Sequence, residues 1–143
     1  MKIYIGNDHT GIEMKNAISK YLVEQGHEVI NIGTNTAEAV DYPDFGREVA
    51  QKTVADQGSI GIIICGSGIG ISIAANKIKA ARAALCYEEK AAELARLHND
   101  ANIIALGARF IAVEKAISLV DVFLKTDFDG ERHQCRVDKL NEL

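Results

Sequence analysis

Five short apolar runs punctuate this chain: KIYIG at 2–6, EVINIG at 28–33, IGIIIC at 60–65, ARAALC at 81–86 and NIIALG at 102–107. Longer stretches of helical spacing come after them, beginning near Thr10, Pro43, Gly70, Glu88 and Ile111. Strand-length runs alternating with helices predict a parallel sheet covered by helices on both faces. The run IGIIIC has no polar alternation, the signature of a strand buried on both sides. The expected fold is therefore a three-layer α/β/α, Rossmann-like sandwich with five parallel strands in the order 2-1-3-4-5. Right-handed crossovers put ligands outside the carboxyl ends of such strands, where strand order reverses. That brings together the loop GNDHTG after strand one and the loop CGSGIG after strand three.

Length and charge narrow the function. A chain of 143 residues suits one domain, here 1–143, with 126–143 as a polar C-terminal extension that turns at FDG and closes in a helix. A net charge of −4 gives no reason to expect nucleic acid. No apolar run approaches the roughly 20 residues of a bilayer span, and MKIYIG reads as a strand rather than a signal peptide. The expected location is the cytoplasm. Cys65, Cys86 and Cys135 have no metal-ligand spacing and are odd in number, so neither a metal nor a disulfide framework is expected.

The glycine loop excludes several familiar ligands. A dinucleotide fingerprint needs G-x-G-x-x-G after the first strand, whereas Gly66, Gly68 and Gly70 are spaced G-x-G-x-G in mid-chain. Lys77 lies too far on for a P-loop, and no arginine comes after Cys65 before Arg82, against a thiol phosphatase. What remains is a set of backbone N–H groups at a helix start, beside a cysteine. Such a cradle favours negative charge on a neighbouring atom. The packing alternative is that Cys65 is a small buried residue and the glycines let strand and helix approach closely. Asp8 and His9 end strand one, where Asp8 could equally cap the next helix. His98 closes the fourth helix, where a cation complements the dipole. Arg132 and Arg136 are four apart on one helical face with no acid for Arg132 at i+4, either a solvated face or a two-pronged phosphate clamp.

Read together, NDH after strand one, VDYPD at 40–44, CGSGIGISIAANK, RLHNDANI and DGERHQCR resemble the ribose-5-phosphate isomerase B family, which includes galactose- and allose-6-phosphate isomerases. The resemblance spans essentially the whole chain. It implies cofactor-free interconversion of ribose 5-phosphate and ribulose 5-phosphate through a cis-enediolate. Cys65 matches the base, Ser67 falls where threonine is common, Asp8 matches a residue holding sugar hydroxyls, and His98 matches the group that opens the furanose ring. Asn99 and the amides from Gly66 to Gly70 match the surroundings of the enediolate. His9, Arg109, Arg132 and Arg136 fall where the family grips phosphate, and Tyr42 falls in the substrate pocket. Asn7 and Ser67 depart from the commoner serine and threonine, and Cys135 intervenes between the two arginines.

The expected partners are a small sugar phosphate and a second copy of the chain, as a homodimer or dimer of dimers with shared sites and the C-terminal extension packed on the partner. Topology points the same way. A helix of about ten residues runs back about 15 Å before reaching His98, leaving it at the other end of its own sheet from Cys65. A hexose-6-phosphate isomerase and a non-catalytic sugar-phosphate-binding module are the remaining alternatives.

Overall fold

The computed structural model describes residues 1–143. Five strands, β1 (Lys2–Asn7), β2 (Glu28–Asn31), β3 (Ile60–Cys65), β4 (Ala83–Leu85) and β5 (Ile103–Gly107), form one parallel sheet. The helices are α1 (Ile12–Glu24), α2 (Tyr42–Ala55), α3 (Ile69–Asn76), α4 (Glu89–Asn99), α5 (Val113–Lys125) and α6 (Arg132–Asn141). A single 3-10 turn at His9–Gly11 leads into α1. Local signals account for the boundaries: Pro43 lies in the first turn of α2, where its missing N–H costs nothing, and Gly26, at φ 89°, turns the chain out of α1.

The strand order is β2-β1-β3-β5-β4, which corrects the expected 2-1-3-4-5 at its far edge. All five residues of β5 are buried, as suits a strand flanked on both sides, while the three residues of β4 are half-buried and form the edge. The exchange matters for function. Cys65 pairs with Gly107 at the carboxyl end of β5, so the residues just after β5, Arg109 among them, flank the glycine loop.

Alternate strand residues feed two cores. Ile3, Ile5, Ile62, Ile64, Ile104 and Leu106 pack beneath α1, α4 and α5 through Met14, Ile18, Ala92, Leu119 and Phe123. Tyr4, Ile63, Cys65, Ile103 and Ala105 pack beneath α2 and α3 through Val49, Ala50, Ile71 and Ala75. Each fully buried isoleucine contributes about 1.5 to 3 kcal/mol by leaving water, so β3, buried at all six positions, is a rigid platform for the glycine loop at its end. Helix α6 lies outside the layers, against α4 of its own chain. No helix is long and apolar enough to cross a membrane.

Candidate active site

The strand β3 ends on Cys65, 4% exposed, and the next residues turn sharply into α3. Gly68 makes the turn at φ +80°, a left-handed conformation, and a Cβ there would stand 2.6 Å from Leu85 Cδ1 and 2.8 Å from the Leu106 carbonyl carbon. Only glycine fits both the angle and the space. The turn folds back so that the Gly68 N–H donates to Cys65 Sγ at 3.2 Å. The Ser67 hydroxyl accepts from the Ile69 N–H at 3.1 Å, which leaves its own proton available to donate elsewhere. Thiol, hydroxyl and amides thus share one turn at the start of a helix.

Neighbouring strands bring the other groups to this end. The Asp8 N–H donates to the Ile64 carbonyl at 3.1 Å, fixing Asp8 beside the last residues of β3. Its Oδ1 accepts from the Thr10 N–H at 2.9 Å and the Thr10 hydroxyl at 2.6 Å, the cap expected of this residue, while Oδ2 takes no hydrogen bond within the chain. His9 Nδ1 accepts from the Val40 N–H at 3.2 Å. That bond selects the tautomer with the proton on Nε2, making His9 a donor to an anion. The Tyr42 ring stands over Gly70 closely enough that any Cβ at Gly70 would collide with it. Arg109 donates its backbone N–H to the Gly66 carbonyl at 2.9 Å, and a Cβ at Gly66 would lie 3.4 Å from Arg109 Nη1. Asp8, His9, Tyr42, Cys65, Gly66, Ser67, Gly68, Gly70 and Arg109 therefore form one shelf at the carboxyl ends of β1, β3 and β5.

His98, Asn99, Arg132 and Arg136 lie elsewhere. The Gly61 N–H donates to the Asn102 carbonyl at 2.9 Å, and Gly61 pairs with Ile103, so the end of α4 reaches the amino ends of the strands. Cys65 lies four residue steps along β3 from Gly61, about 13 Å of strand. At this second cluster His98 stacks on His133, with ring centroids 4.3 Å apart and planes 13° from parallel. Arg132 and Arg136 are exposed beside them. The Asn99 and Asp100 carbonyls are held by Arg82, Nε to Asn99 O at 3.2 Å and Nη2 to Asp100 O at 2.8 Å. The cavities of 720, 510 and 390 Å³ are lined by none of the shelf residues, although Asn99 lines the smallest of the three.

Ion pairing divides the arginines into two groups. The chain has six. Arg47 pairs with Asp44, and Arg82 and Arg96 both pair with Asp100. Arg109, Arg132 and Arg136 face no carboxylate within 4.0 Å, leaving three guanidinium forks with unused donors. The other cysteines are placed differently from Cys65. Burial pushes the Cys86 thiol up to about 11, and the exposed Cys135 thiol reaches the Arg132 carbonyl of its own helix. No group of three His, Cys, Asp or Glu side chains converges in a way that could hold a metal ion.

Several supporting residues carry no clear mark in the sequence. Lys15, 1% exposed, donates to the Thr34 carbonyl at 2.7 Å and Asn35 Oδ1 at 2.6 Å. Burial holds its ammonium below the usual lysine range. With Asn7, which donates to Thr34 O at 3.2 Å, it staples the segment after β2 against the shelf. Tyr87 donates to the Ser67 carbonyl at 2.6 Å and braces the loop from the β4 side. No local pattern distinguishes Lys15 or Tyr87. His133 does have a signal: it shares an i,i+4 stripe with Val137, the two buried residues of α6.

Comparison with known proteins identifies the family and the fold. The family model described as Ribose/Galactose Isomerase matches residues 3–140. The ribose-5-phosphate isomerase B of Escherichia coli K12 is 44% identical over 142 residues, covering 99% of this chain and 95% of that protein. The solved ribose-5-phosphate isomerase B of Clostridium thermocellum superposes with a TM-score of 0.97 at 49% identity, covering 99% of this chain and 96% of that one. That of Mycoplasma genitalium, solved with bound ribulose-5-phosphate, gives a TM-score of 0.95 at 44% identity, covering 99% and 94%. A sheet of the same architecture, a glycine shelf and a family match over nearly every residue converge on one statement: this chain belongs to the ribose/galactose isomerase family.

Proposed function

We propose that the chain is a cytoplasmic aldose–ketose isomerase that interconverts ribose 5-phosphate and ribulose 5-phosphate, with Cys65 as the base. The observation that carries this reading is the turn at Cys65, where the thiol accepts the Gly68 N–H at 3.2 Å beside the backbone amides that open α3. A proton beside a carbonyl is weakly acidic, so the site must supply a base and stabilise the oxygen charge that develops as the proton leaves. Cys65 takes the proton from C2 of the aldose and returns it to C1, through a cis-enediolate whose oxygens lie against the amides of Gly66 to Gly70. Ser67 supplies a hydroxyl proton to the same oxygens, and the free Oδ2 of Asp8 accepts from sugar hydroxyls. His9 Nε2 and Arg109 hold the phosphate, and Tyr42 closes the pocket over Gly70.

The remaining groups come from a second copy of the chain. The opposite placement of the shelf and the His98 cluster supports a two-fold dimer in which each site combines one shelf with the partner subunit's His98, Asn99, Arg132 and Arg136. The partner subunit's His98 then opens the furanose ring, while the two arginines complete the phosphate grip. Neither a hexose 6-phosphate substrate nor a non-catalytic binding role is favoured by any feature of the shelf, and the ribulose-5-phosphate bound to the Mycoplasma genitalium relative supports the pentose.

Subunit mixing tests both the chemistry and the sharing. Inactive Cys65→Ala and inactive His98→Ala proteins, allowed to exchange subunits, should form about half heterodimers with one intact site each and regain roughly a quarter of parental activity on ribose 5-phosphate. No recovery after demonstrated exchange would put both residues in one chain's site. Absence of ribose 5-phosphate turnover by the parent would reject the isomerase reading itself.

A further inference from the structure

Of the two histidines that the shelf and the His98 cluster leave without a task, His27 and His133, only His133 lies against a proposed site residue. His133 is 6% exposed, its Nε2 is buried without a hydrogen-bond partner, and its ring is stacked on His98. A buried polar atom left unsatisfied is costly and calls for an explanation. The setting is built rather than incidental. The Asp129 N–H donates to the Leu97 carbonyl at 3.1 Å, tying the turn before α6 to the end of α4, and the His133 N–H donates to the Gly130 carbonyl at 3.0 Å. His133 and Val137 then face inward while Arg132 and Arg136 of the same helix face out.

We propose that His133 is a positioning residue for ring opening: its buried imidazole, lying flat on His98, fixes the plane in which His98 meets the sugar ring oxygen. The inference rests on the isomerase reading, in which His98 opens the furanose ring. The charged environment suits this task. The groups around His133 are Arg132 and Arg136 on α6, His98 on α4 and Asp129 in the turn. Burial first, then the positive neighbours, holds the His133 ring below the usual histidine range and therefore neutral near pH 7. A neutral aromatic face beside His98 tolerates the proton that His98 carries during ring opening, where a second imidazolium would repel it.

The test exploits a difference between the two sugars. Ribose 5-phosphate is mostly a closed furanose, whereas ribulose 5-phosphate has its O5 phosphorylated and stays open, so exchange of its C1 hydrogen with D2O needs enolisation but no ring step. His133→Leu, which keeps bulk but not the flat face, should lower net turnover of ribose 5-phosphate by about tenfold or more. Its C1 exchange rate on ribulose 5-phosphate should stay within about twofold of the parent. His133→Phe, which restores a flat ring without nitrogen, should recover most of the lost turnover. If the leucine variant does not fold, His133→Asn takes its place with the same expected pattern. Equal losses in turnover and exchange would make His133 a general structural residue and overturn the proposal. Unchanged turnover in the leucine or asparagine variant, or no recovery with phenylalanine, would overturn it too. A parent that catalyses neither reaction would instead refute the isomerase reading.

Discussion

The shelf at the carboxyl ends of the strands and the histidine–arginine cluster at their amino ends are built by different means. The shelf is mostly backbone: its donors are main-chain N–H groups in a turn anchored by β3, and its key side chain, Cys65, is nearly buried. The cluster is mostly side chain, carried on the end of α4 and the start of α6 and held through Arg82, Arg96 and Asp100. Sheet hydrogen bonds and close packing make the first rigid. The second depends on two helices keeping their register. Chemistry that stabilises developing charge needs the preorganised part, while gripping and opening the substrate suits residues that reach it from outside.

The largest expected effect tests the shelf. Cys65→Ala should lower turnover of ribose 5-phosphate by about 10²- to 10⁴-fold, the usual share of a general base, with sugar-phosphate affinity nearly unchanged. Steady-state kinetics and a direct binding titration would show it, and near-parental turnover would reduce Cys65 to a packing residue. The second prediction sharpens the contrast by moving the Michaelis constant instead. Arg132→Ala should weaken phosphate binding by about 1.5 to 3 kcal/mol, a factor of about 10 to 150 in KM. Arg47→Ala, which removes an arginine already paired with Asp44 on the exposed face of α2, should leave KM unchanged.

A smaller effect concerns acid. His133 has a folded-state pKa below its ordinary 6.5, through burial and then the charges of Arg132, His98 and Arg136, opposed by Asp129. Between the folded and unfolded values the unfolded chain binds more protons, so stability rises with pH there. Its contribution is fully present above about 6.5 and is lost as the pH falls through the folded value. Thermal unfolding at pH 8 and pH 5 should therefore show a larger drop in Tm for the parent than for His133→Phe. Equal drops would place the acid sensitivity elsewhere. Smallest of all, dialysis against a chelator should leave the rate unchanged, because in the proposed mechanism the amides serve as electrophile. A loss reversed by added divalent metal would contradict the shelf chemistry.

Much of the shelf was legible because its parts are local. Cys65, Gly66, Gly68 and Gly70 lie within six residues, Asp8 and His9 adjoin a strand end, and periodicity placed both at the same edge. Helix starts were displaced by one or two residues from expectation, as with α5 at Val113 rather than Ile111, which shifts no side chain of the site. His98 and the two arginines could be named but not given their setting, because the stack with His133 joins helices separated by more than thirty residues.

The sequence by itself determined which segments are strands and helices, where the chain must turn at glycine, and that a thiol would stand at the rim of an amide loop. Those features arise from periodicity and backbone sterics, which act over a few residues. Tertiary structure alone decided that β5 rather than β4 lies beside β3, and so that Arg109 rests over Gly66. It also decided that the buried Lys15 staples the segment after β2, and that Arg109, Arg132 and Arg136 are the arginines without a carboxylate. The physical reason is common to all three: strand neighbours and ion pairs are settled by competition among distant segments for the same buried surface and the same charges, and no local pattern records which of them wins.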